Sequence, residues 1–371
     1  MKNIIIYFGP KKGLKKILPN HYRTLTEIVT EGDQKRNKIL VTTDETNQIE
    51  ELEYVENLVA YSEAYAGITE GAIQSFVSLL SRYDIDNLYL QNPTIPILHQ
   101  VQQAFPDKIK IEKYKYKPIS EKKFIDMYKN FSEHIIGQDQ ARERIMMSLY
   151  PLVKSRHIRK PIVLMFYGIS GVGKTETAKF ISDTIGEKLF RKQFSMFHSE
   201  EFASYLFGGT HMQSSFARDL LERESNVILI DEFDKPAPVF HSAFYQLFDE
   251  GVFEDKNYRV ELFNSIIICT SNYQSEEDIQ KYLGDPIFYR FDRFIKFEKL
   301  SKEAMGLIIE KLCREKYDKL TAKEKTIIHF APLLEKFLGL TGGFKNVRHV
   351  SNIIDEYIGI ILVRKFMESN E

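Results

Sequence analysis

The chain is poor in cysteine, has no long apolar run and carries almost no net charge. Only two cysteines, Cys269 and Cys313, occur in its 371 residues. They are far apart in apolar settings, so a disulfide framework is excluded and buried thiols in a reducing compartment are expected. No apolar stretch reaches the length of about 18 residues that a membrane-spanning helix needs, so nothing is expected to cross a membrane. The start, Met1-Lys2-Asn3-Ile4, lacks the apolar core and small-residue cleavage site of a secretory signal, and a cytoplasmic location is expected. Basic and acidic residues number 51 and 52, so no overall field draws the chain to nucleic acid or to an anionic membrane. Internal repeats and low-complexity tracts are also missing. What remains is ordinary globular composition, 43% hydrophobic and 28% charged, long enough for two or three domains.

Two motifs carry chemistry. Residues 168–175 read Gly168-Ile169-Ser170-Gly171-Val172-Gly173-Lys174-Thr175, the GxxxxGKT pattern of a phosphate-cradling loop. The apolar run Ile162–Tyr167 before it reads as a buried parallel strand, and Thr175-Glu176-Thr177-Ala178 reads as a helix start. Glycines let backbone N–H groups close around phosphate oxygens, and the helix N-terminus adds partial positive charge there. Lys174 is expected on the β- and γ-phosphates, and the Thr175 hydroxyl on Mg²⁺. The second motif, Val227-Ile228-Leu229-Ile230-Asp231-Glu232, is a buried strand ending in two acids. Asp231 is placed to hold Mg²⁺ and Glu232 to activate the attacking water as general base. ATP and Mg²⁺ are therefore the expected cofactors.

Further separated segments give a family likeness. His134-Ile135-Ile136-Gly137-Gln138, Asp231-Glu232-Phe233-Asp234-Lys235, Gln246–Gly251 with Asp255, Ile266–Asn272, Phe288–Asp292 and Gly343–Arg348 together resemble the Clp branch of the AAA+ ATPases, over roughly residues 134–350. The resemblance implies a P-loop α/β core with a parallel sheet and a C-terminal helical lid. It places Ile136 at adenine, and residues 168–176, through Glu176, around the phosphates. It makes Asn272 a polar sensor of the γ-phosphate. Arg290 becomes an arginine finger acting on a neighbouring subunit, which implies a ring homo-oligomer, commonly a hexamer. The lid cation is Lys345 or Arg348, with Arg348 preferred because a fork of donors suits phosphate. One departure concerns the family's aromatic substrate-gripping loop. Its matching place reads Tyr205-Leu206-Phe207-Gly208-Gly209, in a changed order, and no apolar peptidase-docking tripeptide is evident.

Residues 1–118 alternate strand and helix patterns and are expected to form a separate α/β domain. Strands are expected at 4–8, 38–42, 85–90 and 109–116, and helices at 22–30, 50–66, 71–83 and 97–105. Gly9-Pro10-Lys11-Lys12-Gly13 reads as a basic turn rather than an anion site. The lysines at 108, 110, 113, 115 and 117 read as an edge strand kept soluble by charge rather than as a nucleic-acid surface. Residues 119–133 are expected as a linker, 134–300 as the ATPase core and 301–371 as the lid. The expected function is ATP hydrolysis coupled to remodelling of a macromolecular client, expected to be a protein. The alternatives are a regulatory or nucleic-acid-linked ATPase of a mobile-element or defence system, or a slow ATP-dependent switch.

Overall fold

The computed structural model describes residues 1–39, 52–154, 160–196, 199–341, 344 and 346–368. Twelve strands are found there: β1 Asn3–Phe8, β2 Arg23–Thr24, β3 Glu53–Ala60, β4 Tyr83–Gln91, β5 Ile109–Lys113, β6 Ile162–Tyr167, β7 Phe190–Gln193, β8 Val227–Asp231, β9 Val252–Glu254, β10 Arg259–Glu261, β11 Ile266–Thr270 and β12 Arg293–Lys296. They form two five-stranded parallel sheets, ordered β2-β3-β4-β1-β5 and β12-β6-β11-β8-β7, and the antiparallel pair β9–β10.

The second sheet follows from its sequence. Strands β6, β8 and β11 are apolar up to the Asp231 and Thr270 that close the last two, and every residue of each is buried. A strand covered on both faces requires this, because successive side chains point to opposite sides. Val163, Met165, Ile228, Ile230, Ile267 and Cys269 enter the core on one face. Leu164, Phe166, Val227, Leu229, Ile266 and Ile268 enter the core on the other. In register, Ile266 pairs with both Ile162 and Val227, so the three strands end at one level. That level carries the phosphate loop, Asp231 and Asn272.

Four expectations are corrected in the N-terminal half. Residues 50–66, expected as a helix, hold strand β3 followed by a 3-10 turn at Ser62–Gly67. Val55, Leu58 and Val59 fit helical spacing, yet the segment lies between β2 and β4, where burial on both faces decides the conformation. The strand expected at 38–42 is also overturned where it is described: Lys38 and Ile39 close the helix Leu25–Ile39, and Leu40, Val41 and Thr42 lie outside the described residues. The helix expected over 71–83 is two short helices, Glu70–Gln74 and Phe76–Leu80, and Tyr83 already starts β4. The linker at 119–133 is mostly the helix Glu121–His134, capped by Ser120, with Met127 and Phe131 fully buried in the ATPase core. Its polar residues cover one face only. Strand β5 is an edge strand, bonded to β1 alone.

The N-terminal sheet docks on the second unit through polar groups. The Glu222 carboxylate accepts hydrogen bonds from Gln91 Nε2 at 2.9 Å and Asn92 Nδ2 at 2.8 Å. Burial pushes that carboxyl up from its usual range, against the pull of its donors. Lys12 pairs with Glu224, and Lys113 with Glu261 at 2.7 Å. His211 is buried between Ile68 O and the Glu70 carboxylate. The C-terminal helices Lys302–Asp318, Ala322–Ile327, Phe330–Leu338 and Val347–Glu368 pack around their own core, which includes Cys313. Both cysteines are buried and free, and burial raises both thiols, Cys313 to about 11. Among the described residues no helix is long and apolar enough to cross a membrane.

Candidate nucleotide site

A cavity of about 580 Å³ opens at the carboxyl ends of β6, β8 and β11. Ligands of open α/β sheets bind at that end. Ser170, Gly171, Val172, Gly173, Lys174, Thr175 and Glu176 form one wall. Asp231, Glu232, Thr270 and Asn272 form the facing wall. Ile136, Leu300, Ile308, Leu312 and Val347 make an apolar end, and Arg348 reaches the same space from the start of the helix Val347–Glu368. Gly168 and Ile169 stand just behind the cavity, their carbonyls accepting from Lys174 Nζ. Lys345 lies outside the described residues.

The loop conformation depends on its glycines. Gly168 has φ of +127°, and a Cβ there would sit 2.3 Å from the backbone oxygen of Phe297. Gly173 has φ of +107° and leads directly into the helix Lys174–Ile185. The helix N-terminus therefore faces the cavity with free N–H groups.

Lys174 is 8% exposed. Its ammonium is held by two carbonyls of its own loop and by Asn272 Oδ1 at 3.2 Å. Burial pushes its pKa down to about 8, partly offset by the Asp231 and Asp234 carboxylates. A desolvated cation without a bonded anion is unfavourable, so the site favours an anionic ligand.

Thr270 links the two acids. Its Oγ1 accepts from Glu232 N at 2.9 Å and donates to Asp231 Oδ1. Asp231 Oδ2 accepts from Arg191 at 2.6 and 3.1 Å, and Glu232 Oε2 accepts from Gln193 Nε2 at 3.2 Å. Glu232 has φ of +57°, a left-handed conformation that costs roughly 1–3 kcal/mol for a residue of this type. The next residue, Phe233, is fully buried against Phe244 and Phe291. Burying that ring contributes roughly 1.5–3 kcal/mol, enough to hold the turn. Arg191, Gln193 and Thr270 escaped the sequence reading. Arg191 and Gln193 alternate along β7 and so project to one side of the sheet, but no motif marks them.

The residues fit Mg²⁺. Asp231 and the Thr175 hydroxyl are hard oxygen donors lining one cavity, and Mg²⁺ typically takes one or two protein oxygens and completes its shell with phosphate and water. Ser271 Oγ, also at the cavity, is buried with no hydrogen-bond partner among the described residues.

Arg290 is elsewhere. Its Nε donates to Asp249 Oδ2 at 2.8 Å, and its guanidinium stacks over Tyr245 at 4.3 Å from the ring centroid. It lines none of its own nucleotide cavity. Asp292 accepts from Val163 N and Lys160 Nζ. The segment Tyr205–Gly209 is no free loop. Tyr205 and Leu206 are buried at the end of the helix Ser199–Phe207, and Phe207 is half exposed.

Comparison with known proteins agrees with this geometry. A family model for the AAA domain (Cdc48 subfamily) matches residues 159–324. A ClpA homolog protein of Fuscovulum blasticum is 27% identical over 293 residues, 66% of this chain and 37% of that protein. The mitochondrial disaggregase of Homo sapiens is 29% identical over 184 residues, 46% of this chain and 26% of that protein. The chain thus spans well under half the length of these relatives. A solved closed-state structure of Hsp104 with ATPγS and FITC casein shares the fold, with a TM-score of 0.57 at 14% identity, covering 99% of this chain and 89% of that one. Residues 159–324 thus match an AAA domain model, and in the structure the phosphate loop, the paired acids and the C-terminal helices are arranged around one cavity.

Proposed function

We propose that the protein binds MgATP in the cavity between loop and lid, hydrolyses it, and uses the cycle to remodel a macromolecular client, a protein. The carrying observation is the set of groups in one cavity: buried Lys174, Asp231 held through Thr270, and Glu232 fixed by its backbone turn and by Gln193. Mg²⁺, when bound, supplies charge neutralisation at the phosphates. Lys174 and the loop amides bind and orient the triphosphate. Glu232 takes the proton of the attacking water. Asn272, bonded to Lys174, would sense the γ-phosphate. Arg290 serves a neighbouring copy in a ring.

One observation favours a second reading, a regulatory ATPase or slow switch, acting alone or with nucleic acid. The stretch after the helix Ser199–Phe207 is tied by His211 to Ile68 and Glu70 of the N-terminal unit, rather than left free to grip a polypeptide. Stimulation of turnover by unfolded casein supports the client reading. Salt-sensitive stimulation by DNA or RNA, or no stimulation with slow turnover, supports the second.

Glu232→Gln should retain ATP binding and lose turnover by roughly 10²-fold or more, because the amide keeps the shape but cannot take a proton. Steady-state ATPase assays beside nucleotide binding test this. Native-rate hydrolysis would remove Glu232 as the base.

The lowered Lys174 pKa gives a sign-specific pH effect. Bound phosphate favours the ammonium and raises its pKa above the free value of about 8. Binding therefore takes up a proton above that pH, and affinity falls as pH rises, by up to ~10-fold per unit until the bound-state pKa is passed. Below it the lysine is already charged and adds no dependence. Calorimetry of MgADP in buffers of differing ionisation enthalpy should show proton uptake near pH 9 and much less near pH 7. Equal uptake at both would contradict the assignment.

Arg290→Ala should bind ATP normally and hydrolyse it roughly 10³-fold more slowly. Mixing Arg290→Ala with Glu232→Gln chains should restore activity that neither has alone, because an intact site can borrow an intact arginine. Absence of rescue in rings shown by native mass spectrometry to be mixed would argue against action between subunits.

A further inference from the structure

A second cavity, of about 290 Å³, lies between the N-terminal sheet and the ATPase unit. It opens at the carboxyl ends of β1 and β5, through Phe8, Gly9 and Lys113, and is closed from the other side by Arg223, Arg259 and Phe263. Both settings, the carboxyl edge of a parallel sheet and a seam between units, are where small ligands bind. The neighbouring part of that edge already holds an anion, since Gln91 and Asn92 donate to the Glu222 carboxylate.

The charges lining this cavity are unbalanced. Lys113 pairs with Glu261, and Arg259 with Glu254. Arg223 is 5% exposed and makes no direct ion pair among the described residues, although the Glu187 carboxylate acts on it through space and partly offsets its burial. Its Nη1 donates to Leu220 O at 2.7 Å, and its Nη2 has a long 3.4 Å bond to Asn226 Oδ1. Its guanidinium stacks on Tyr116 at 4.4 Å from the centroid, and its buried Nε has no hydrogen-bond partner. A buried cation in this state is costly until an anion meets it. The remaining wall is largely apolar, with Tyr114 and Tyr116 set edge to face at 4.9 Å and Phe263 at the rim.

We propose that this cavity binds a small organic anion with an apolar body, its charged group meeting Arg223 and its body lying along Tyr114, Tyr116 and Phe263. Such a ligand would bridge the two units directly ahead of β8, the strand that carries Asp231.

The test is a fluorescence titration of the full chain with 1-anilinonaphthalene-8-sulfonate, an aryl sulfonate of this shape, in saturating MgADP to keep the nucleotide cavity filled. One saturable site per chain is expected. Arg223→Met should weaken it about 10-fold or more, the loss of a charge-assisted bond. Phe263 is 39% exposed, so Phe263→Glu should fold normally, and its carboxylate at the rim should also weaken binding about 10-fold. Circular dichroism checks both variants, and Phe263→Glu decides if Arg223→Met misfolds. Absence of saturable binding in the native chain, or binding by Phe263→Glu within about two-fold of native, would overturn the proposal.

Discussion

A buried lysine without an anion sets the terms for the whole catalytic face. Lys174 sits where three parallel strands end, with only carbonyl and amide oxygens bonded to its ammonium. Its desolvation is tolerable because a phosphate can neutralise it. Everything around it serves that geometry. The glycines hold the backbone in conformations closed to other residues. The equal register of β6, β11 and β8 brings the loop, Asn272 and Asp231 to one level. Thr270, between the two acids, fixes their relative position.

The left-handed turn at Glu232 shows how the core supports chemistry. Its strain, roughly 1–3 kcal/mol, is of the same order as the burial of the single ring that follows it. Phe233 is packed in a cluster with Phe194, Phe244, Phe248 and Phe291. The aromatic core thus positions a carboxylate as well as stabilising a fold. On the far side of the same unit, Glu222 and His211 hold the N-terminal unit through hydrogen bonds.

The catalytic half was legible in the sequence because its signals are local. A glycine pattern between an apolar run and a helix start, and two acids closing a second apolar run, each specify conformation and chemistry within a few residues. The resemblance added Asn272, Ile136 and Arg348, and all three line the cavity. What escaped depends on sheet order. Arg191 and Gln193 reach Asp231 and Glu232 only because β7 pairs with β8. The segment at 50–66 was misread as helix because apolar spacing alone does not reveal a central strand. The linker expected at 119–133 is mostly the helix Glu121–His134, because two deeply buried side chains, Met127 and Phe131, stand among many charges.

The most direct test of the account is the affinity of Lys174→Ala for MgATP, read with a fluorescent ATP analogue. Losing a buried cation that makes charge-assisted bonds worth roughly 1.5–3 kcal/mol each should weaken binding by about 10²-fold or more, with the thermal stability of the chain retained. Native affinity in that variant would contradict the central claim that phosphate is held at Lys174.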